Sequence, residues 1–113
     1  MPIQHLNKAS IPAAIDEALR RLGQAIVRAR SRRGLRRIDL AKRAGISPLT
    51  LARVEHGSPT TSIGAYFAAL WAMGLEREFG DIASPDRDEE GKTLELARSP
   101  ERVDVKRALD ANF

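Results

Sequence analysis

The chain has 113 residues, of which 42% are apolar, a net charge of +4 and no cysteine. This length supports one compact domain with extensions, and the lack of cysteine excludes disulfides and thiolate metal sites and favours a reducing, cytoplasmic compartment. The longest apolar run, which includes residues 68 to 73, is far shorter than the ~20 residues of a spanning helix, so we expect neither a membrane segment nor a signal peptide.

Charge is strongly segregated along the chain. Residues 20 to 53 carry eleven basic side chains against the single acid Asp39, whereas residues 54 to 113 carry seven bases against twelve acids. A basic block inside a segment that is patterned to fold indicates a polyanionic partner such as nucleic acid. The acidic part that follows predicts a different kind of partner.

The spacing of apolar residues predicts an all-α fold that is preceded by a flexible arm. Residues 1 to 14 show no sustained period and contain two prolines, so we interpret them as the arm. Helix 1 is predicted over residues 15 to 33, with Gly34 as its C-terminal cap. Its apolar residues recur at spacings of three and four and define one face: Ile15, Leu19, Leu22, Ile26 and Ala29.

Two short helices around a glycine turn follow. Helix 2 is predicted over Arg37–Ala44, with Gly45 in the turn. Helix 3 is predicted to begin after Ser47, a favourable N-cap, because Pro48 at the first helical position has no amide hydrogen to leave unbonded. Gly57 closes this helix.

The rest of the pattern predicts two more helices and a polar extension. Helix 4 starts near Ser62 with an apolar stripe, and a short helix 5 covers about residues 76 to 82. We therefore place the folded domain at residues 15 to 83 and an acidic, mixed-charge, partner-binding extension at residues 84 to 113. Serine, proline and an acid at 84 to 86 and at 99 to 101 are helix-start signals there. The extension has few apolar anchors: Leu94, Leu96, Val103, Val105 and Leu109.

Several features of residues 22 to 75 occur together at a characteristic spacing. They are an arginine before the glycine that ends helix 1, a leucine-alanine pair in helix 2, an AlaGlyIleSer turn and a GluXaaGly at the end of helix 3: Arg30, Leu40 with Ala41, residues 44 to 47, and Glu55 with Gly57. In these features the chain resembles the phage-repressor-like helix-turn-helix family of the Cro/C1 or XRE type. The resemblance covers about half the chain and implies a five-helix, lambda-repressor-like DNA-binding domain.

The resemblance also implies roles for individual residues. Arg30 and Glu55 would form a salt bridge that locks helix 1 to helix 3. Arg37 stands where the family usually has a glutamine that holds a backbone phosphate, and an arginine can do the same with a full charge. Further candidates for phosphate contacts are Lys42, Arg43 and Ser47.

Helix 3 departs from the family pattern on the surface that is expected to face the bases. Pro48 and Leu49 replace polar residues that make amide-to-base hydrogen bonds in many relatives. Base contacts are therefore expected from Leu49 with thymine methyl groups, from the Thr50 hydroxyl, and from Arg53 with guanine O6 and N7. DNA shape and phosphate geometry are expected to supply part of the specificity.

Enzyme chemistry has no support in this sequence. His5 and His56 are far apart and lack a metal-binding spacing. The acidic cluster at residues 86 to 90 resembles the start of a calcium loop, but Ala97 stands where that loop needs a glutamate. No glycine-rich phosphate loop occurs. We therefore expect a non-enzymatic protein without a metal or another cofactor.

Aromatic residues concentrate on helix 4 and just beyond it. Their combined apolar surface is larger than so small a domain can bury in its own core. We expect part of this surface to form a symmetric dimer contact, made by Phe67, Trp71, Leu75 and Phe79. A two-fold axis would then place two recognition helices about 34 Å apart and require a palindromic operator.

Residues 62 to 75, with residues 84 to 91, are similar to HipB-like antitoxins, the members of this family that act beside a HipA-type serine/threonine kinase toxin. This similarity implies a cytoplasmic, nucleoid-associated protein that represses its own operon and binds the kinase, with the acidic extension as the contact. Two alternatives stay open: a stand-alone, prophage-like repressor, and an interaction adaptor that has lost DNA binding. The basic block argues against the adaptor.

Overall fold

The computed structural model describes residues 10 to 98, and every regular element in that range is a helix. The described residues therefore belong to the all-α class. Most of the predicted arm, the helix start at residues 99 to 101 and the anchors Val103, Val105 and Leu109 lie outside the described residues. The helices are α1 (Ala13–Arg32), α2 (Arg37–Ala44), α3 (Pro48–Glu55), α4 (Ile63–Ala72), the 3₁₀ helices Glu76–Asp81 and Pro85–Arg87, and α5 (Glu89–Arg98).

Contacts divide the chain into two compact units, one ending at Arg77 and the other beginning at Glu78. The sequence pattern places this boundary later, after Ala83. The first unit contains α1 to α4, and the four largest fully buried side chains of its core come from α1, α2 and α3: Ile26, Leu40, Leu51 and Val54. In the second unit, none of the described helices has a buried residue.

Helix α3 lies at the centre of the first unit, where it packs against α1, α2 and α4. Leu51 and Val54 of α3 are fully buried, and α4 adds Tyr66 and Ala69 to the same cluster. The phenol of Tyr66 also donates a hydrogen bond of 2.7 Å to the carbonyl oxygen of Ser58, and its burial raises its pKa. The orientation of α3 is thus determined by apolar contacts with three helices and by the hydrogen bond between Tyr66 and the loop that follows α3.

The ends of α3 and α4 follow the capping rules. The Ser47 hydroxyl accepts the amide hydrogen of Thr50 at 3.0 Å, and the Ser62 hydroxyl accepts that of Ala65 at 3.1 Å. Gly45 ends α2 in the left-handed region, with φ of 72°, which a side chain adopts only at a cost. Only three residues connect α2 to α3, so the two helices stay adjacent as a pair.

Two predicted elements differ from the structure. Ile15, expected on the inner face of helix 1, is 46% exposed, and the contact of this face with the core begins one turn later, at Leu19. The predicted fifth helix is a 3₁₀ helix, Glu76–Asp81. Its six residues end in Gly80 and Asp81, which are poor α-helix formers, and 3₁₀ geometry is common in such short segments.

Helix α1 crosses the end of α3 at backbone contact distance. A Cβ atom on Gly23 would lie 2.6 Å from the carbonyl oxygen of Glu55. A Cβ atom on Gly57, where φ is +73°, would lie 2.7 Å from the backbone of Arg20. Only glycine allows so close an approach, so these two residues set the distance between α1 and α3.

Gly23→Ala is expected to lower the free energy of unfolding by about 1 to 3 kcal/mol, because the added methyl group overlaps backbone atoms that cannot move aside. Gly64→Ala is the matched control, since Gly64 also lies in a helix but its Cβ would meet only the Ser62 hydroxyl, at 3.8 Å. That variant should be neutral or gain up to about 0.5 kcal/mol, because Gly64 lies in the first turn of α4, where helix propensity counts less than in the middle. Urea denaturation of both variants checks the pair, and equal stabilisation would contradict the close crossing.

Candidate nucleic-acid interface

The exposed face of α3 is a ridge of three side chains at spacings of four and three. Leu49, Arg53 and His56 are all exposed, and Leu49 retains 62% of its accessible surface. The opposite face of the helix holds the core residues Leu51 and Val54. Because the core residues fix which face of α3 points inward, the ridge on the opposite face points away from the domain. A rigid helix with an unpaired outer face is suited to enter a groove.

His56 is a member of the ridge that sequence reasoning missed. Its Nδ1 lies 2.8 Å from the carbonyl oxygen of Ala52, which can only accept, so Nδ1 is the donor and Nε2 is the free ring nitrogen. The spacing of seven residues from Leu49 is the signal that could have placed it on this face. The sequence interpretation considered it only as a metal ligand.

The hydroxyl groups at the start of α3 form a short chain. Ser47 accepts from the Thr50 amide and donates its own hydrogen to Thr50 Oγ1 at 2.9 Å. The only hydroxyl donor of Ser47 is therefore used within the cap, whereas Thr50 retains its hydroxyl hydrogen for another partner. Of these two candidate DNA contacts, Thr50 is free to donate, and Ser47 acts as its support.

Three basic side chains of α2 and α3 form no salt bridge with any acid among the described residues. Lys42 and Arg43 are exposed in the last turn of α2, and Arg53 is exposed on the ridge. Within residues 10 to 98, no salt bridge or side-chain hydrogen bond involves any of the three. Their charge is available to an anionic ligand.

The charge of the one acid within the basic block is compensated by neighbouring arginines. Asp39 accepts hydrogen bonds from Arg36 through the backbone amide and through Nε, both at 3.0 Å. These hydrogen bonds, with smaller help from the charges of Arg36 and Arg43, lower the pKa of Asp39. Asp39 thus stays ionised, caps the start of α2, and is paired mainly with Arg36.

A buried carboxylate joins α1, the start of α2 and the end of α3. Glu55 Oε2 accepts from Arg30 Nε at 2.7 Å, and Glu55 Oε1 accepts from Arg37 Nε at 2.9 Å. The side chain of Glu55 is 2% exposed, that of Arg30 is 15% exposed and that of Arg37 is 46% exposed. The salt bridge between Arg30 and Glu55 is therefore present, and Arg37, considered only for phosphate binding, is its third member.

The candidate dimer residues occupy different settings. Trp71 is 60% exposed and Leu75 is 41% exposed, whereas Phe67 and Phe79 are half-buried. Phe67 and Trp71 are one turn apart on α4, and Phe79 belongs to the second unit. Ile63, one turn before Phe67, is 65% exposed and extends the same stripe, although sequence reasoning left it out of the contact.

No group of three or more histidine, aspartate and glutamate side chains is arranged to hold a metal ion among residues 10 to 98. Among those residues no helix has the length and apolarity needed to cross a membrane.

Comparison with models of protein families, with curated proteins and with solved structures found no match. The features of the described residues that bear on function are therefore the ridge, the basic side chains without a salt bridge there, and the cluster at Glu55.

Arg30→Met should lower the free energy of unfolding by about 3 kcal/mol, because it removes the better-buried partner of a buried carboxylate. Arg37→Met should cost no more than about 1 kcal/mol, since the Arg37 side chain is half exposed and solvent replaces it. Urea denaturation compares the two variants. A larger loss for Arg37→Met would contradict the division of roles between these arginines.

Proposed function

We propose that this chain is a sequence-specific DNA-binding transcriptional repressor, with a lambda-repressor-like helix-turn-helix domain at residues 15 to 83. The observation that carries the proposal is the α3 ridge. One face of α3 is buried against α1, α2 and α4, and the opposite face is exposed and carries Arg53, which forms no salt bridge within residues 10 to 98. Helices α2 and α3, of eight residues each, are joined by a short glycine turn, which suits a helix-turn-helix unit.

In the proposed complex, α3 lies in the major groove. Leu49 contacts thymine methyl groups, the Thr50 hydroxyl donates to a base edge, and Arg53 donates to O6 and N7 of guanine. The phosphate contacts come from Arg37, Lys42 and Arg43, at the two ends of α2. Ser47 supports this surface by capping α3. This set of base contacts is small, so shape and phosphate geometry contribute to specificity.

A homodimer is the proposed state on DNA. The stripe Ile63, Phe67 and Trp71 lies along α4, a helix without any charged residue. Packing two copies of this stripe about a two-fold axis would remove apolar surface from water, which favours association. The two ridges would then meet successive major grooves of a palindromic operator.

The proposed biological role is that of an antitoxin which represses its own operon and binds a HipA-type kinase. The exposed acidic α5, with the exposed apolar residues Leu94 and Leu96, supports a protein contact in the second unit. A stand-alone repressor is the alternative. A kinase-like protein encoded beside this gene that co-purifies with the chain favours the antitoxin, and no complex at micromolar concentration favours the stand-alone repressor. A protein-interaction adaptor without DNA binding is the least supported reading.

DNA affinity should fall steeply with salt, because binding releases counterions from phosphates. On a duplex enriched from a random library, Arg53→Ala should lose discrimination at one base pair, by about 1 to 3 kcal/mol. Lys42→Ala is the control, and it should weaken binding to all sequences alike. Fluorescence anisotropy over a salt series measures both effects. A DNA affinity that does not change with salt favours the adaptor. If Arg53→Ala weakens binding to all sequences equally, Arg53 contacts the DNA backbone and not a base.

Trp71→Glu should convert the dimer to a monomer, because the charge would be buried in the α4 contact without a partner. Leu94→Glu is the matched control, since Leu94 is exposed to the same extent, 61% against 60%, but belongs to the second unit. Sedimentation equilibrium gives the mass of each variant. A Trp71→Glu protein that remains dimeric would place the interface elsewhere.

A further inference from the structure

We propose that Glu55 is a positioning residue for DNA binding, whose buried carboxylate holds Arg37 by its Nε edge so that the terminal nitrogens of Arg37 face a DNA phosphate. The inference rests on the DNA-binding function proposed above. It gives Glu55 a second role beside the salt bridge to Arg30, and it concerns a residue, Arg37, at which this chain differs from the glutamine that its resemblance leads one to expect.

The two arginines on Glu55 use their guanidinium groups differently. Arg30 donates from Nε and Nη2 to Glu55, and from Nη1 to the carbonyl oxygen of Leu35 at 3.1 Å. All three of its nitrogens are therefore occupied. Arg37 donates to Glu55 from Nε alone, and within residues 10 to 98 its two terminal nitrogens have no acceptor.

The free edge of Arg37 has the shape that a phosphate requires. A guanidinium group is planar and carries five N–H donors, so a group held through Nε retains four donors on Nη1 and Nη2. Two parallel donors match two phosphate oxygens, which makes this a bidentate and strong contact. Because Glu55 already restricts the side chain, less conformational entropy is lost when the phosphate binds.

Charge and burial both favour this direction of contact. Glu55 is 2% exposed and Arg37 is 46% exposed, so an approaching phosphate meets the guanidinium group and not the carboxylate. Two arginines share one carboxylate, which leaves one net positive charge on the exposed side. Arg36, the other arginine at the start of α2, donates to both oxygens of Asp39 and is less available.

The test measures duplex affinity over a salt series for the wild type, Arg37→Met, Arg37→Lys and Glu55→Gln, together with the double variant Glu55→Gln/Arg37→Met. Arg37→Met should weaken binding about tenfold and reduce the salt slope by about one. Arg37→Lys retains the charge but has one nitrogen, which cannot serve Glu55 and a phosphate together. It should retain the slope and still lose about tenfold in affinity.

Glu55→Gln should also lose about tenfold, because Arg37 loses its orientation, even though the variant gains one net positive charge that by itself would favour DNA binding. In the Arg37→Met background the same change should have little further effect. Lys42→Met is the control background, in which the loss from Glu55→Gln should be undiminished. A purely structural Glu55 would lower thermal stability in every background without this selective coupling in affinity.

Two results would overturn the positioning role while leaving DNA binding intact: wild-type affinity for Arg37→Lys, or additive losses for Glu55→Gln and Arg37→Met. Circular dichroism establishes that each variant is folded, and if Glu55→Gln is not, Arg37→Lys decides alone. A wild-type chain that shows no salt-dependent duplex binding would instead overturn the proposed function, and the role of Glu55 with it.

Discussion

The buried carboxylate of Glu55 is the interaction on which the arrangement of the first unit depends. A carboxylate that is 2% exposed must be paired, because the cost of burying an isolated charge is several kcal/mol or more. Arg30 supplies that pairing from α1, and Arg37 supplies it from the first residue of α2. The end of α3 is therefore fastened to two other helices at one point, and Gly23 lets α1 approach that point closely.

The basic residues of this unit have different roles, because some pair with acids and others do not. The sequence counts eleven bases between residues 20 and 53, but several of them have partners in the structure. Arg20 and Arg21 pair with acids one turn earlier on α1, Arg36 pairs with Asp39, and Arg30 is committed to Glu55. Within residues 10 to 98, Lys42, Arg43 and Arg53 form no salt bridge, and Arg37 keeps an exposed edge. Arg28, Arg32 and Arg33, in the second half and at the end of α1, also lack a salt bridge there, so the free positive charge is shared between α1 and the pair of α2 and α3.

Local rules account for much of what the sequence predicts correctly. Helix α2 has the predicted bounds, and Ser47, Pro48 and Ser62 occupy the cap and first-turn positions that their chemistry favours. Tertiary geometry accounts for what was missed. No periodicity shows that Arg37 reaches Glu55, eighteen positions away, or that the Ser47 hydroxyl is used up by Thr50. Spacing alone also does not show that Ile15 is exposed, since it lies on the predicted inner face of α1 but does not pack against the core.

The central claim is that the α3 ridge and the unpaired bases beside it form the DNA-binding surface. Its most direct test is a titration of ¹⁵N-labelled protein with a duplex at low salt, followed by two-dimensional NMR. The account predicts chemical-shift changes concentrated between residues 37 and 56, with those of Leu49, Thr50 and Arg53 among the largest. Changes concentrated instead on the outer face of α1, around Arg21 and Arg28, would contradict it.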